Sequence, residues 1–158
     1  MKEIVELLIQ NNKTISTMES CTGGALADAI TNIEGSSEII KFSAVTYSNE
    51  FKIKMGVDKN IIEKYTVYSM ETADEMSKNI SKFSNSNYGV GITGQINRTD
   101  INNITNENNK IYISIYNKDK NKFYNQVVET INYSREENKK MIINKIEEML
   151  KDVIKSDI

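Results

Sequence analysis

Apolar positions along this chain alternate between two periods, and the order in which they do so predicts an α/β protein. Val5, Leu8 and Ile9 recur at helical spacing in the first ten residues. Lys13 to Met18 is a short β-branched stretch that predicts a buried strand, Gly23 and Gly24 follow directly, and Ala25 to Ile33 reads as a helix. Ser36 or Ser37 is placed to cap a short turn before a β-rich segment at Ser43 to Tyr47. Asn49 then reads as the cap of a helix that Gly56 stops. A second short helix fits Lys59 to Lys64, and Ser69 caps a longer one in which Ala73, Met76, Ile80 and Phe83 share a face.

The second half is richer in strands. Tyr88 to Thr93 is strand-like. Ile111, Ile113 and Ile115 alternate with Tyr112, Ser114 and Tyr116 in the period-2 pattern of a half-buried strand. Asn117 to Asn121 is a hairpin connection into Lys122 to Ile131, and its shortness requires antiparallel pairing. Ser134 with Glu137 makes a capping box, after which Met141, Ile142, Lys145, Ile146, Met149 and Val153 define one face of a closing helix. The expected architecture is a three-layer α/β/α sandwich around a mixed, partly antiparallel sheet, formed by a single domain over residues 1–158. The one long irregular stretch runs from Gly94 to Asn109, a length usual for functional loops.

Composition narrows the chemistry. The chain contains no histidine, which excludes an imidazole base, a Ser/His/Asp or Cys/His arrangement and a histidine-ligated zinc site. Proton transfer would fall to lysine, tyrosine, carboxylate or water. A formal net charge of -2, from 20 basic and 22 acidic residues mixed along 158 positions, offers no basic face for nucleic acid. No apolar run is long enough to span a bilayer, and the charges within Met1 to Gln10 interrupt what a signal peptide would need, so no membrane association and a cytoplasmic location are expected. The lone Cys21 cannot form an internal disulfide, consistent with a reducing compartment.

Three segments combine polar density with predicted strand ends. Glu19-Ser20-Cys21-Thr22-Gly23-Gly24 is a hydroxyl-rich turn opening a helix. It reads either as a place for phosphate or a developing oxyanion, or as Ser20 and Thr22 capping the helix above a glycine turn. In Thr46-Tyr47-Ser48-Asn49-Glu50-Phe51-Lys52 the lysine falls in the first helical turn. There the dipole and partial burial would lower its proton affinity toward that of a general base; the alternative is one more solvated lysine among 18. Gly89-Val90-Gly91-Ile92-Thr93-Gly94 reads either as a strand that lets a ligand approach or as one crowded against a helix. Cys21 is either a nucleophile dependent on a lysine or a small core residue. The acid pairs Glu136-Glu137 and Glu147-Glu148 are expected on exposed helix surface.

Together the first string, the Gly35-Ser36-Ser37 turn, Val45-Thr46-Tyr47-Ser48-Asn49-Glu50 with Lys52, and Gly91-Ile92-Thr93-Gly94 resemble, in order and spacing, the CinA C-terminal domain, the nicotinamide-nucleotide amidohydrolase family. The resemblance covers almost the whole chain. It implies a metal-free and cofactor-free enzyme that deamidates nicotinamide mononucleotide to nicotinate mononucleotide and ammonia, in pyridine nucleotide salvage. It implies Ser20 as nucleophile, and Tyr47 and Lys52 as proton-handling partners. Thr22, Gly23, Gly24, Thr93 and Gly94 would line the ligand site, and Arg135, one of two arginines, would clamp a phosphate.

The chain departs from the family pattern after Gly94. Family members continue with proline and a glycine cluster, whereas here Gln95-Ile96-Asn97-Arg98 leads into an asparagine-rich run, in which Arg98 could replace backbone contacts to phosphate. The expected form is the stand-alone enzyme without the N-terminal molybdopterin-binding-like domain of longer relatives. A homodimer is expected from the apolar surface of the terminal helix and the isoleucine-rich strands. The alternative function is a nucleotide-binding or regulatory module that keeps the pocket and has lost catalysis.

Overall fold

The computed structural model describes residues 1–97 and 109–158. The elements follow the predicted order: α1 (Lys2–Gln10), β1 (Ile15–Glu19), α2 (Ala25–Thr31), β2 (Ile40–Val45), α3 (Asn49–Lys54), α4 (Lys59–Tyr65), α5 (Met70–Ser84), β3 (Tyr88–Gly94), β4 (Lys110–Asn117), β5 (Lys122–Glu129) and α6 (Arg135–Asp157). The strands form one sheet in the order β2-β1-β3-β4-β5. β1 runs parallel to both of its neighbours, and β3, β4 and β5 continue antiparallel, which gives the expected mixed sheet.

Two apolar layers flank the sheet. On one face Ile4 and Leu8 of α1, Leu26 and Ile30 of α2, and Ile142, Ile146 and Leu150 of α6 pack on Val90, Ile92 and Ile113. On the other, Met76 and Ile80 of α5 join Met18, Val57, Ile62 and Val67. The glycines of β3 explain how closely α5 lies. A Cβ at Gly89 would sit 2.0 Å from the Ser77 carbonyl oxygen, and one at Gly91 would sit 2.3 Å from that of Ala73. These two glycines bring a helix onto the strand, so the crowded-strand reading holds for them.

Several boundaries and faces differ from the sequence-based expectation. β1 begins at Ile15 and extends to Glu19; β2 lies earlier than Ser43 to Tyr47, because the backbone leaves the ladder at Thr46 to enter α3. Ser48, not Asn49, caps α3: its side chain accepts from the Phe51 N–H. The turn at residue 36 starts from Gly35 in the left-handed region (φ 86°) with no serine side-chain cap. Ser69 caps α5 as expected, and Ser134 accepts from the Glu137 N–H.

Phe83 does not join the buried face of α5; it is 65 % exposed, packing its ring on Phe42 of the edge strand at 5.0 Å between centroids. Lys145 of α6 is likewise solvent-facing, while Leu150 and Ile154 complete the buried stripe. β4 is buried on both faces instead of one. Ser114 meets the α5 side through Ser77 Oγ at 2.9 Å and donates to Asp74 Oδ1 at 2.7 Å. Among the described residues no helix is long and apolar enough to cross a membrane.

Candidate active site

From β1 the chain first moves to β2 on one side and later returns to β3 on the other, so the carboxyl end of β1 is a topological switch point. In open α/β sheets such a point opens a crevice where ligands bind. Ser20 is the first residue beyond β1.

The turn carrying Ser20 is held by Glu19, a fully buried carboxylate. Glu19 Oε1 accepts from Thr22 Oγ1 at 2.6 Å and from the Leu26 N–H at 3.0 Å, and Oε2 accepts from the Ala27 N–H at 3.0 Å. A carboxylate on the first amides of α2 is charge-assisted and favoured by the helix dipole. Glu19 therefore does the capping that one of the two readings of this turn gave to Ser20 and Thr22. The turn itself passes through left-handed backbone at Gly23 (φ 63°) and Gly24 (φ 98°), which glycine adopts without steric cost. Glu19 was legible only as a member of its motif, since an acid in sequence carries no sign of being buried.

Ser20 is 9 % exposed and its hydroxyl oxygen accepts from Lys52 Nζ at 3.0 Å. The same ammonium nitrogen donates to the Thr46 carbonyl at 2.7 Å. Lys52 is 2 % exposed, so it is not a solvated surface lysine. The dipole argument made from sequence does not carry over: α3 is six residues long, and Lys52 also belongs to its last turn. Burial and contacts with the Ser20 and Thr46 oxygens mark its surroundings.

Tyr47 stands apart from this pair. It is 63 % exposed, and among the described residues its hydroxyl has Arg135 as partner, with Nη2 donating at 3.2 Å. Arg135 Nη1 also donates to the Ile96 carbonyl, which ties α6 to the segment leaving β3. One turn along α6, Lys139 Nζ lies 3.4 Å from where a Cβ of Gly23 would be, so a second cation overhangs the turn. Lys139 was missed from sequence; its signal was the i, i+4 spacing from Arg135.

Thr93 and Gly94 have packing roles. Thr93 is 1 % exposed and its hydroxyl donates to the Val67 carbonyl at 2.7 Å. A Cβ at Gly94 would meet the Lys110 carbonyl oxygen at 2.4 Å, so this glycine admits the backbone of β4. Arg98 lies outside the described residues. Among the described residues, no group of three or more cysteine, aspartate or glutamate side chains is placed to hold a metal ion.

Cys21, adjacent to the nucleophile candidate, is 5 % exposed. Burial pushes its thiol up to about 12, against the opposing influence of the Lys52 charge. The thiol is neutral at physiological pH and cannot serve as nucleophile. Cys21→Ala is accordingly expected to retain activity within a few-fold of wild type and to lower stability by about 1 kcal/mol, through lost packing. A steady-state assay with a parallel melting curve checks both; loss of turnover with an unchanged melt would restore the thiol to the mechanism.

Comparison with known proteins identifies the family and the fold. A family model described as the CinA C-terminal domain matches residues 1–154. A putative competence-damage inducible protein of Thermoanaerobacter sp. is 45 % identical over 96 residues, covering 60 % of this chain and 23 % of that protein. A protein of the same description from Clostridium botulinum (strain Langeland) is 47 % identical over 92 residues, covering 58 % of this chain and 22 % of its own length. The matched stretch thus spans less than a quarter of these curated relatives.

Among solved structures, a CinA superfamily protein from Klebsiella pneumoniae superposes with a TM-score of 0.89 at 18 % identity, covering 98 % of this chain and 95 % of the other. The competence/damage inducible protein CihA from Agrobacterium tumefaciens gives 0.82 at 25 % identity, covering 94 % and 92 %. With the fold shared across nearly its whole length and the family model matching from the first residue to position 154, this chain belongs to the CinA family through its C-terminal domain.

Proposed function

We propose that the chain is an amidohydrolase that deamidates nicotinamide mononucleotide to nicotinate mononucleotide and ammonia. The observation that carries this reading is the contact of 3.0 Å between Lys52 Nζ and Ser20 Oγ, buried at the switch point of the sheet. An amide is a poor electrophile with a poor leaving group. Its hydrolysis needs an activated hydroxyl, a donor for the departing amine and stabilisation of the oxyanion.

In its neutral form the Lys52 amine keeps one N–H on the Thr46 carbonyl and turns its lone pair to the Ser20 hydroxyl. Lys52 takes that proton as Ser20 Oγ bonds to the carboxamide carbon. The tetrahedral adduct then collapses: the Lys52 ammonium returns its proton to the nitrogen, directly or through the Tyr47 hydroxyl, the C–N bond breaks, and ammonia leaves an ester on Ser20 with the amine neutral again. Water, deprotonated by the same amine, cleaves the ester and regenerates the serine. Tyr47 handles a proton at the rim. With Arg135 donating to its oxygen, its own O–H is left to point at the departing nitrogen. The cations Arg135 and Lys139, one turn apart on α6 beside the Gly23 turn, suit the nucleotide phosphate.

The test is ammonia release from millimolar nicotinamide mononucleotide by the purified protein, followed with a coupled dehydrogenase. Turnover is expected; no ammonia above the protein-free blank would sink the reading.

A further inference from the structure

At the strand ends around the reactive pair, buried polar groups lack partners among the described residues. Among the described residues, the side-chain nitrogen and oxygen of Gln95 and the hydroxyls of Ser43 and Thr46 are buried without any hydrogen-bond partner. Gln95 is 3 % exposed. A buried amide without partners costs roughly 1–3 kcal/mol, so native proteins rarely retain one unless something else completes it.

Of these, Thr46 and Gln95 sit at the carboxyl ends of the strands flanking Ser20. Glu19 is in register with Val45 on one side and Ile92 on the other, so Thr46 follows in the row of Ser20. Gln95 extends β3 by one rung, its N–H donating to the Lys110 carbonyl. Strand alternation fixes its face. Gly89 and Gly91 point at α5 and Thr93 reaches Val67 of the same layer, so Gln95, two residues on, points to that side as well. Lys52 approaches Ser20 from that layer too. From the row of Ser20, Gln95 lies about 7 Å along the strand and about 5 Å across it.

We propose that Gln95 recognises the scissile carboxamide edge-on: its Nε2 donates to the substrate carbonyl oxygen while its Oε1 accepts from the substrate NH2. An amide offers one acceptor and one donor, and the primary amide of Gln95 is their complement. The pairing lies in the plane of the substrate amide and leaves its face open to Ser20. A carboxylate product offers two acceptors, so one of them opposes Gln95 Oε1, and the site discriminates amide from acid. The identity of the ligand rests on the amidase reading; the role of Gln95 has its own readouts.

The experiment compares Gln95→Leu, which keeps the volume, with Gln95→Met, each also in a Ser20→Ala background. Calorimetry with nicotinamide mononucleotide and nicotinate mononucleotide is expected to show the Ser20→Ala parent favouring the amide at least about ten-fold, and that ratio falling toward one in both variants. Without ligand, Gln95→Leu should melt roughly 2–6 °C higher than wild type, because an orphaned amide has been removed. An unchanged amide/acid ratio, or a lower melting temperature for both variants, overturns the proposal while Ser20-dependent ammonia release stands. Gln95-dependent preference for the amide in a protein that releases no ammonia upholds it while the amidase reading fails.

Discussion

Ser20→Ala is expected to reduce ammonia release from nicotinamide mononucleotide by at least about 10³-fold with the fold intact, because it removes the hydroxyl that Lys52 contacts. Burial pushes the thiol of the adjacent Cys21 up, which favours its neutral form. Lys52→Met, which keeps the length of the side chain and removes its amine, should cost about 10²–10⁴-fold. The double variant should be no worse than Ser20→Ala, since groups that act as a unit lose their contributions together. Lys52→Arg should also be inactive, because a guanidinium does not accept a proton at any accessible pH.

The pH profile carries the sign of the mechanism. The step needs the amine unprotonated, so kcat/KM should fall as pH drops through its titration and level off above it. A profile flat from weakly acidic to alkaline pH would assign the base elsewhere. So would a Lys52→Met variant with near-normal turnover.

The second large effect is structural. Gly91→Ala would place a methyl group 2.3 Å from the Ala73 carbonyl oxygen, 2.7 Å from the Ser77 nitrogen and 2.9 Å from Met76 Cβ. Two of these are backbone atoms of α5, so no side-chain rotation relieves the clash and the helix must shift away from the sheet. Destabilisation of about 3 kcal/mol or more is expected, a large part of the 5–15 kcal/mol typical of a domain, with a fall in Tm of roughly 6–12 °C. Denaturant melts measure it, and a variant as stable as wild type would show that α5 sits less tightly than described. Met18 of β1 is in register with Gly91, two residues before Ser20. A displaced α5 is therefore felt at the site as well as in the core.

Element order and sheet type were legible because period and turn chemistry agree at nearly every junction. Gly56 ends its helix region in left-handed backbone (φ 103°), and Ser69 caps α5 where its hydroxyl predicted. What stayed hidden was burial of polar groups. β4 reads as half exposed because Ser114 and the tyrosines are polar, yet Ser77 and Asp74 of α5 meet Ser114 in a network that hydropathy does not register. Lys52 could not be told from its surface counterparts for the same reason: its environment is supplied by residue 20 and residue 46, distant from it in pattern if not in space. Motif resemblance singled out Ser20, Tyr47, Lys52 and Arg135. It could not show that they divide into a buried pair and a rim pair.

The buried pair also joins two parts of the molecule with unequal support. Ser20 issues from an inner strand, but Lys52 rides on a six-residue helix whose only buried residue is Lys52 itself, suspended from the sheet's outermost ribbon, β2. Marginal segments of this kind open with less free energy than the interior. The proposed ammonia release should accordingly vanish at lower denaturant than the circular dichroism of the remaining fold, while most of the protein is still folded; coincident curves would show that the margin and the core melt as one.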